Sequence, residues 1–145
     1  MSESKDWLNE PYLSPNDRTT VMAAEWLLPI FYNARLRPEV YFRPIGPMAV
    51  IHWAHGLYTG LSLWGVKDGL KHRDAAVERR GLEVKACWNE DELEKRGLTP
   101  AEVADELLAI EIERWEAHRA EILNAAIEAH RKYFPDGIKR RSPRP

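Results

Sequence analysis

The twenty residues from Pro47 to Val66 carry no formal charge, and Arg43 and Lys67 are the nearest charges on either side. A helix of that composition has to be surrounded, because a solvated helix normally carries charge on its wet side. Pro47 suits the first helical position, where its missing N–H costs nothing. The run is long enough to cross a bilayer, but two histidines, Thr59, Ser62 and several glycines make insertion costly, and Arg43 and Lys67 give little orientation bias. A membrane role is therefore not expected, and the run reads as a helix enclosed by protein.

Helical signals flank it. Ser14 and Pro15 form a cap and a first-turn proline for a helix to about Arg35. Its apolar positions Met22, Trp26, Leu27, Ile30, Phe31 and Ala34 recur at spacings of three and four, with Pro29 expected to bend it. Between Leu36 and Pro47, Pro38, Pro44 and Gly46 predict an extended connection whose Tyr41 and Phe42 still pack. Past Lys67 the helical pattern turns polar and reaches about Arg80, with Gly65, Gly69 and Gly81 as breaks or weak points. Leu82 to Trp88 reads as irregular or as one short strand. Asn89 looks like the cap of an acidic helix from Glu90 to Arg96, closed by Gly97.

Thr99, Pro100 and Glu102 form a capping box, which opens a helix to about Phe134, roughly 50 Å long at about 1.5 Å per residue. Leu108, Ile112, Trp115, Ile122, Ala126, Ala129 and Tyr133 make a heptad-like seam interrupted at Arg119. Glu111, Glu113, Glu116, Glu121 and Glu128 fall off that seam and read as a wet face, with Glu128 and Lys132 as an i,i+4 pair. The expected fold is an all-α, irregular three- to four-helix bundle with a long C-terminal helix and an extended Pro-rich connection. One domain covers residues 1–137, and the basic segment 138–145 is expected to be a disordered tail.

Charge and cysteine content narrow the function. Twenty-one basic and 23 acidic residues leave a net charge of −2, so nothing in the balance calls for nucleic acid. Cys87 is the only cysteine, which rules out an internal disulfide and a multi-cysteine metal site; it reads as buried, and a reducing compartment, the cytoplasm, is expected. The short polar N-terminus lacks the pattern of an export signal. No dinucleotide fingerprint, phosphate-binding loop, H-E-x-x-H, G-x-S-x-G or E-x-x-H occurs.

Two surfaces emerge on the apolar helix. At about 100° per residue, His52, His55, Thr59 and Ser62 share one stripe roughly 80° wide. Ala49, Gly56 and Gly60 lie beside it, and the G-x-x-x-G spacing lets another helix come close. His52 and His55 are candidate metal ligands, or ligands of a haem, because imidazoles one turn apart project side by side. A closed site would need further ligands from His72, His118, His130 or acidic side chains. The bland alternative is a polar strip at a helix or subunit contact. Six tryptophans suit a packed core or an interface, and Trp53, Gly56, Gly60, Trp64 and Trp115 are the interface candidates.

The aromatic-histidine run Trp53, His55 and Tyr58, with the stretch from Glu94 to Val103, resembles the helical part of nitrile hydratase β subunits. The resemblance spans under half of the chain, needs gaps and transfers no site residue. It implies a subunit of a hydratase-like metalloenzyme complex.

Three functions stand in order. The first is a non-catalytic helical subunit or interaction module of a larger assembly, with a protein partner or a second copy. A metal- or haem-binding protein using His52 and His55 comes next, and a small enzyme or hydratase-like subunit last. The cofactor is left open by the sequence.

Overall fold

The computed structural model describes residues 13–133, which form six helices and, among the described residues, no strand. These are α1 (Pro15–Leu36), α2 (Pro38–Tyr41), α3 (Pro47–Leu63), α4 (Leu70–Arg79), α5 (Glu90–Lys95) and α6 (Pro100–Tyr133). The all-α bundle expected from the sequence is present. The tail at 138–145 lies outside the described residues.

The helix starts follow their caps. Ser14 Oγ accepts the Asp17 amide at 3.1 Å, with Pro15 in the first turn of α1. At α6 the box closes both ways: the Glu102 amide donates to Thr99 Oγ1 at 3.3 Å, and the Thr99 amide to Glu102 Oε1 at 3.1 Å. Asn89 precedes α5, but its side chain makes no cap bond; its amide donates instead to the Glu83 carbonyl at 2.7 Å and to Glu92 Oε1 at 2.9 Å.

The apolar helix and its polar continuation are two helices. α3 stops at Leu63, where the Gly65 amide bonds the Ser62 carbonyl and the Val66 amide bonds Leu61, with Gly65 at φ +77°. This double bond around a left-handed glycine satisfies the last carbonyls and turns the chain away. The Pro-rich connection is likewise less extended than expected, since Pro38 starts one helical turn, α2. Leu82 to Trp88 is irregular and contains no strand.

α6 is the axis on which α1, α3, α4 and α5 pack. Leu27, Phe31, Val50, Ile51, Val77, Leu107, Leu108 and Trp115 are in the main core. Leu13, Val21, Ile122 and Ala126 form a smaller cluster towards the far end of α6. Trp53 fills the wall beside α1, its ring 5.5 Å from Phe31, 5.7 Å from Tyr41 and 5.3 Å from Phe42, all edge contacts.

The seam of α6 is buried from Leu108 to Ala126, but its flanks depart from expectation. Glu111 is not on a wet face: it is fully buried, as are Arg114 and His118 nearly so. Glu128 pairs with Arg131 at 3.2 Å, one residue closer along the helix than Lys132. Tyr133, placed on the seam, is 65% exposed. Cys87 is exposed, sitting in the irregular segment after α4 instead of in the core.

Candidate functional site

Glu111, Arg114, Trp115 and His118 fall on one stripe of α6 by their spacing of three and four. α3 brings Tyr58 to this stripe, α4 brings Arg73, and the segment after α4 brings Trp88. The result is a layered polar cluster in the heart of a helical bundle.

Glu111 is its centre. Tyr58 donates its hydroxyl proton to Glu111 Oε2, and Arg114 Nη1 donates to the same oxygen at 3.1 Å. Arg73 Nε lies 3.3 Å from Glu111 Oε1, close enough for an ion pair, yet that oxygen accepts no hydrogen bond. The Trp115 indole donates to the Tyr58 hydroxyl at 3.1 Å. Burial pushes the Tyr58 phenol well above its usual range, and the Glu111 carboxylate adds to the rise, so the phenol keeps its proton and acts as a donor.

The two arginines are held on several sides. Arg114 donates from Nε to the Asp68 carbonyl at 2.7 Å and again from Nη2, and its guanidinium lies 4.6 Å from the Tyr58 ring centre and 5.3 Å from that of Trp115. Arg73 donates from Nη2 to the Cys87 carbonyl at 3.3 Å and sits 5.1 Å from the Trp88 ring centre. Two guanidinium groups against one carboxylate leave one positive charge uncompensated in a setting where only 6% of Arg73 and 4% of Arg114 is exposed.

Above the cluster opens a pocket of about 340 Å³ lined by Arg73, Arg114, Tyr58, Trp88, Leu70 and, at its rim, His55 and Thr59. The Trp88 indole donates to His55 Nε2 at 3.0 Å, which puts the His55 proton on Nδ1.

The two candidate ligands on α3 therefore part company. His55 is engaged with Trp88, whereas His52 is exposed and makes no hydrogen bond or ion pair among the described residues. The other histidines do not join them. His72 and His118 pair with each other, ring centres 5.5 Å apart, beside Glu121. Among the described residues, no group of three or more His, Cys, Asp or Glu side chains gathers as a metal site.

The interface candidates also separate. Trp115 is 1% exposed and belongs to the core, and Trp53 is packed among Phe31, Tyr41 and Phe42. Gly56, Gly60 and Trp64 remain open, and a Cβ built on either glycine meets nothing within 4 Å. Trp64 is 77% exposed and lines a shallow apolar groove with Met22, Trp26 and Leu61 between α1 and the end of α3.

The Glu111–Arg73–Arg114 cluster was not anticipated from the sequence. One signal for half of it was present: Glu111 lies four residues before Trp115, which the apolar seam already placed inside. Arg73 had no such marker, because the pattern past Lys67 reads as mainly polar and a charged residue there is expected in solvent. No family model, curated protein or solved structure matches the chain. Among the described residues, no helix is long and apolar enough to cross a membrane.

Proposed function

We propose that the protein is a non-catalytic helical subunit that assembles through the outer face of α3, with a second copy of this chain as its partner. One observation carries the reading. The solvent-facing side of α3 holds Met48, His52, Gly56, Gly60 and Leu63, and not one charged side chain along its whole length. Exposed helix faces in a dispersed protein are normally charged, and an uncharged one is suited to being covered.

The two open glycines give that face a flat track on which another helix backbone can lie close. A symmetric crossing of two such tracks places the same patch on both chains, so the contact closes on itself. Leu63 at 84% exposure and Trp64 beside it provide apolar area at one end, and fully burying a side chain of that kind contributes about 1.5–3 kcal/mol. We place the chain in the cytoplasm, a reducing compartment that suits its exposed thiol at Cys87.

Sedimentation of the full chain and of a Gly56→Leu/Gly60→Leu variant tests this. The natural sequence is expected to self-associate at micromolar concentration. The leucines, whose Cβ atoms meet nothing within 4 Å, are expected to weaken association by about tenfold or more without lowering monomer stability, since glycine is the poorer helix former by about 1 kcal/mol. A natural chain that stays monomeric at about 100 μM, well above the Kd range expected of a specific dimer, would overturn the reading. So would a leucine variant that associates as well as the natural chain.

A further inference from the structure

We propose that the pocket above Arg73 and Arg114 binds a small monocarboxylate carrying a flat apolar body. The proposal concerns the other edge of α3 and does not depend on self-association.

Charge comes first. Two buried guanidinium groups face one buried carboxylate, so the bottom of the pocket holds one positive charge more than the ion pairs among the described residues neutralise. A buried cation without a partner is costly, and an incoming monoanion supplies that partner. Inorganic phosphate, partly dianionic near neutral pH and with no apolar body, fits less well a site that offers one charge and flat apolar walls.

Hydrogen bonding points the same way. Every guanidinium nitrogen of Arg114 is engaged, on the Asp68 carbonyl or on Glu111. Arg73 uses Nη2 on the Cys87 carbonyl and turns Nε towards Glu111, but its Nη1 makes no hydrogen bond among the described residues. That nitrogen lies on a pocket-lining side chain that is only 6% exposed. His55, with its Nε2 taken by Trp88, keeps an N–H at Nδ1 on the rim as a second donor. Both side chains line the same pocket, and one donor on each suits the two oxygens of a carboxylate.

Shape sets the rest of the ligand. The volume of about 340 Å³ accommodates a compact molecule, and its other walls are the Trp88 and Tyr58 rings and Leu70. Flat aromatic and aliphatic walls with a few convergent donors are the usual make-up of a small-molecule site.

Benzoate is the probe, with benzamide as its neutral isostere and inorganic phosphate as the competing anion. Calorimetry on the full chain is expected to find one benzoate per chain, held at least about tenfold more tightly than benzamide. The indole N–H resonance of Trp88, assigned by its loss in Trp88→Phe, should move on titration. Arg73→Gln should weaken benzoate by about tenfold or more. Because that variant disturbs a buried ion pair, Thr59→Glu is the companion: it sits exposed on the rim, leaves the packing intact and brings a negative charge to the mouth, for an expected loss of about three- to tenfold at low salt.

The proposal is overturned by equal affinity for benzoate and benzamide, by tighter binding of phosphate, or by no binding at about 10 mM benzoate, weaker than any useful affinity. Unchanged affinity in Thr59→Glu would overturn it as well. Gly56→Leu/Gly60→Leu is expected to bind benzoate normally, which keeps a failure here distinct from a failure of the self-association reading.

Discussion

Gly69 is fixed by two separate demands. Its φ of +61° lies in the left-handed region, and a Cβ there would stand 2.7 Å from both Cγ and Cδ2 of the His118 ring. The left-handed conformation alone costs a substituted residue about 1–2 kcal/mol, and displacing a packed ring adds about 1–3 kcal/mol. Gly69→Ala is therefore expected to lose about 2–5 kcal/mol in urea unfolding, a combination of those two costs. The ring itself is a second test. His118 Nε2 faces the Lys67 carbonyl at 3.1 Å and so carries the proton, while Nδ1 is buried without an acceptor. Burial lowers the imidazole pKa; the Lys67 carbonyl opposes this, His72 and Arg114 lower it further, and Glu121 opposes it more weakly. A depressed folded-state pKa means that the unfolded chain takes up the proton first. The contribution of the neutral ring is complete above the ordinary histidine value of about 6.5 and is lost as pH falls towards the lower folded value. Urea midpoints measured from about pH 7.5 down to about pH 5, above most carboxylate titration, should fall in the natural chain. They should fall less in His118→Gln, which retains an N–H for Lys67 and does not titrate.

At the level of elements, the ends of helices were more legible than their burial. Gly65, Gly81 and Gly97 each stand at positive φ just past a helix, followed by Val66, Leu82 and Leu98, whose amides reach back to Leu61, Val77 and Leu93. Glycine followed by an apolar residue is a local signal, so the stops of α3, α4 and α5 can be read from a few neighbouring residues. The Thr99 box at the start of α6 is local in the same sense. What periodicity blurred was the join between α3 and α4: a run of helix formers continues across Lys67, and only Gly65 and Gly69 together break it. Burial on the polar side of α6 was illegible for a different reason. Glu111 reads as part of a solvated face, and the element that covers it, α4, contributes Arg73 from a helix whose pattern is mainly polar. Of the candidate site, His55 on the rim was legible because it shares a face with His52, whereas the cations beneath it became visible only once α3, α4 and α6 were brought together.

For the whole molecule, that cluster is where three helices are tied by charge. Glu111 belongs to α6, Tyr58 to α3 and Arg73 to α4, and all of them meet inside the core. The cluster adds less to net stability than its contacts suggest, because desolvating three ions offsets much of their attraction. Its loss in part is another matter. Glu111→Gln keeps the shape and an acceptor for Tyr58 but leaves Arg73 and Arg114 buried with no negative partner, and breaking a buried pair in this way costs about 3–5 kcal/mol. Arg73→Gln alone removes the excess cation along with one partner of Glu111, and Arg114 still holds the carboxylate at 3.1 Å. It should therefore cost less than Glu111→Gln. The decisive comparison is the double variant. If the penalty of Glu111→Gln comes from uncompensated charge, then adding Arg73→Gln removes one of the two stranded cations, and the pair of substitutions should destabilise by less than the sum of the singles. Urea unfolding of all four chains measures that coupling. A strictly additive result would mean that the cluster acts through packing alone and that charge balance plays no part in holding α4 to α6.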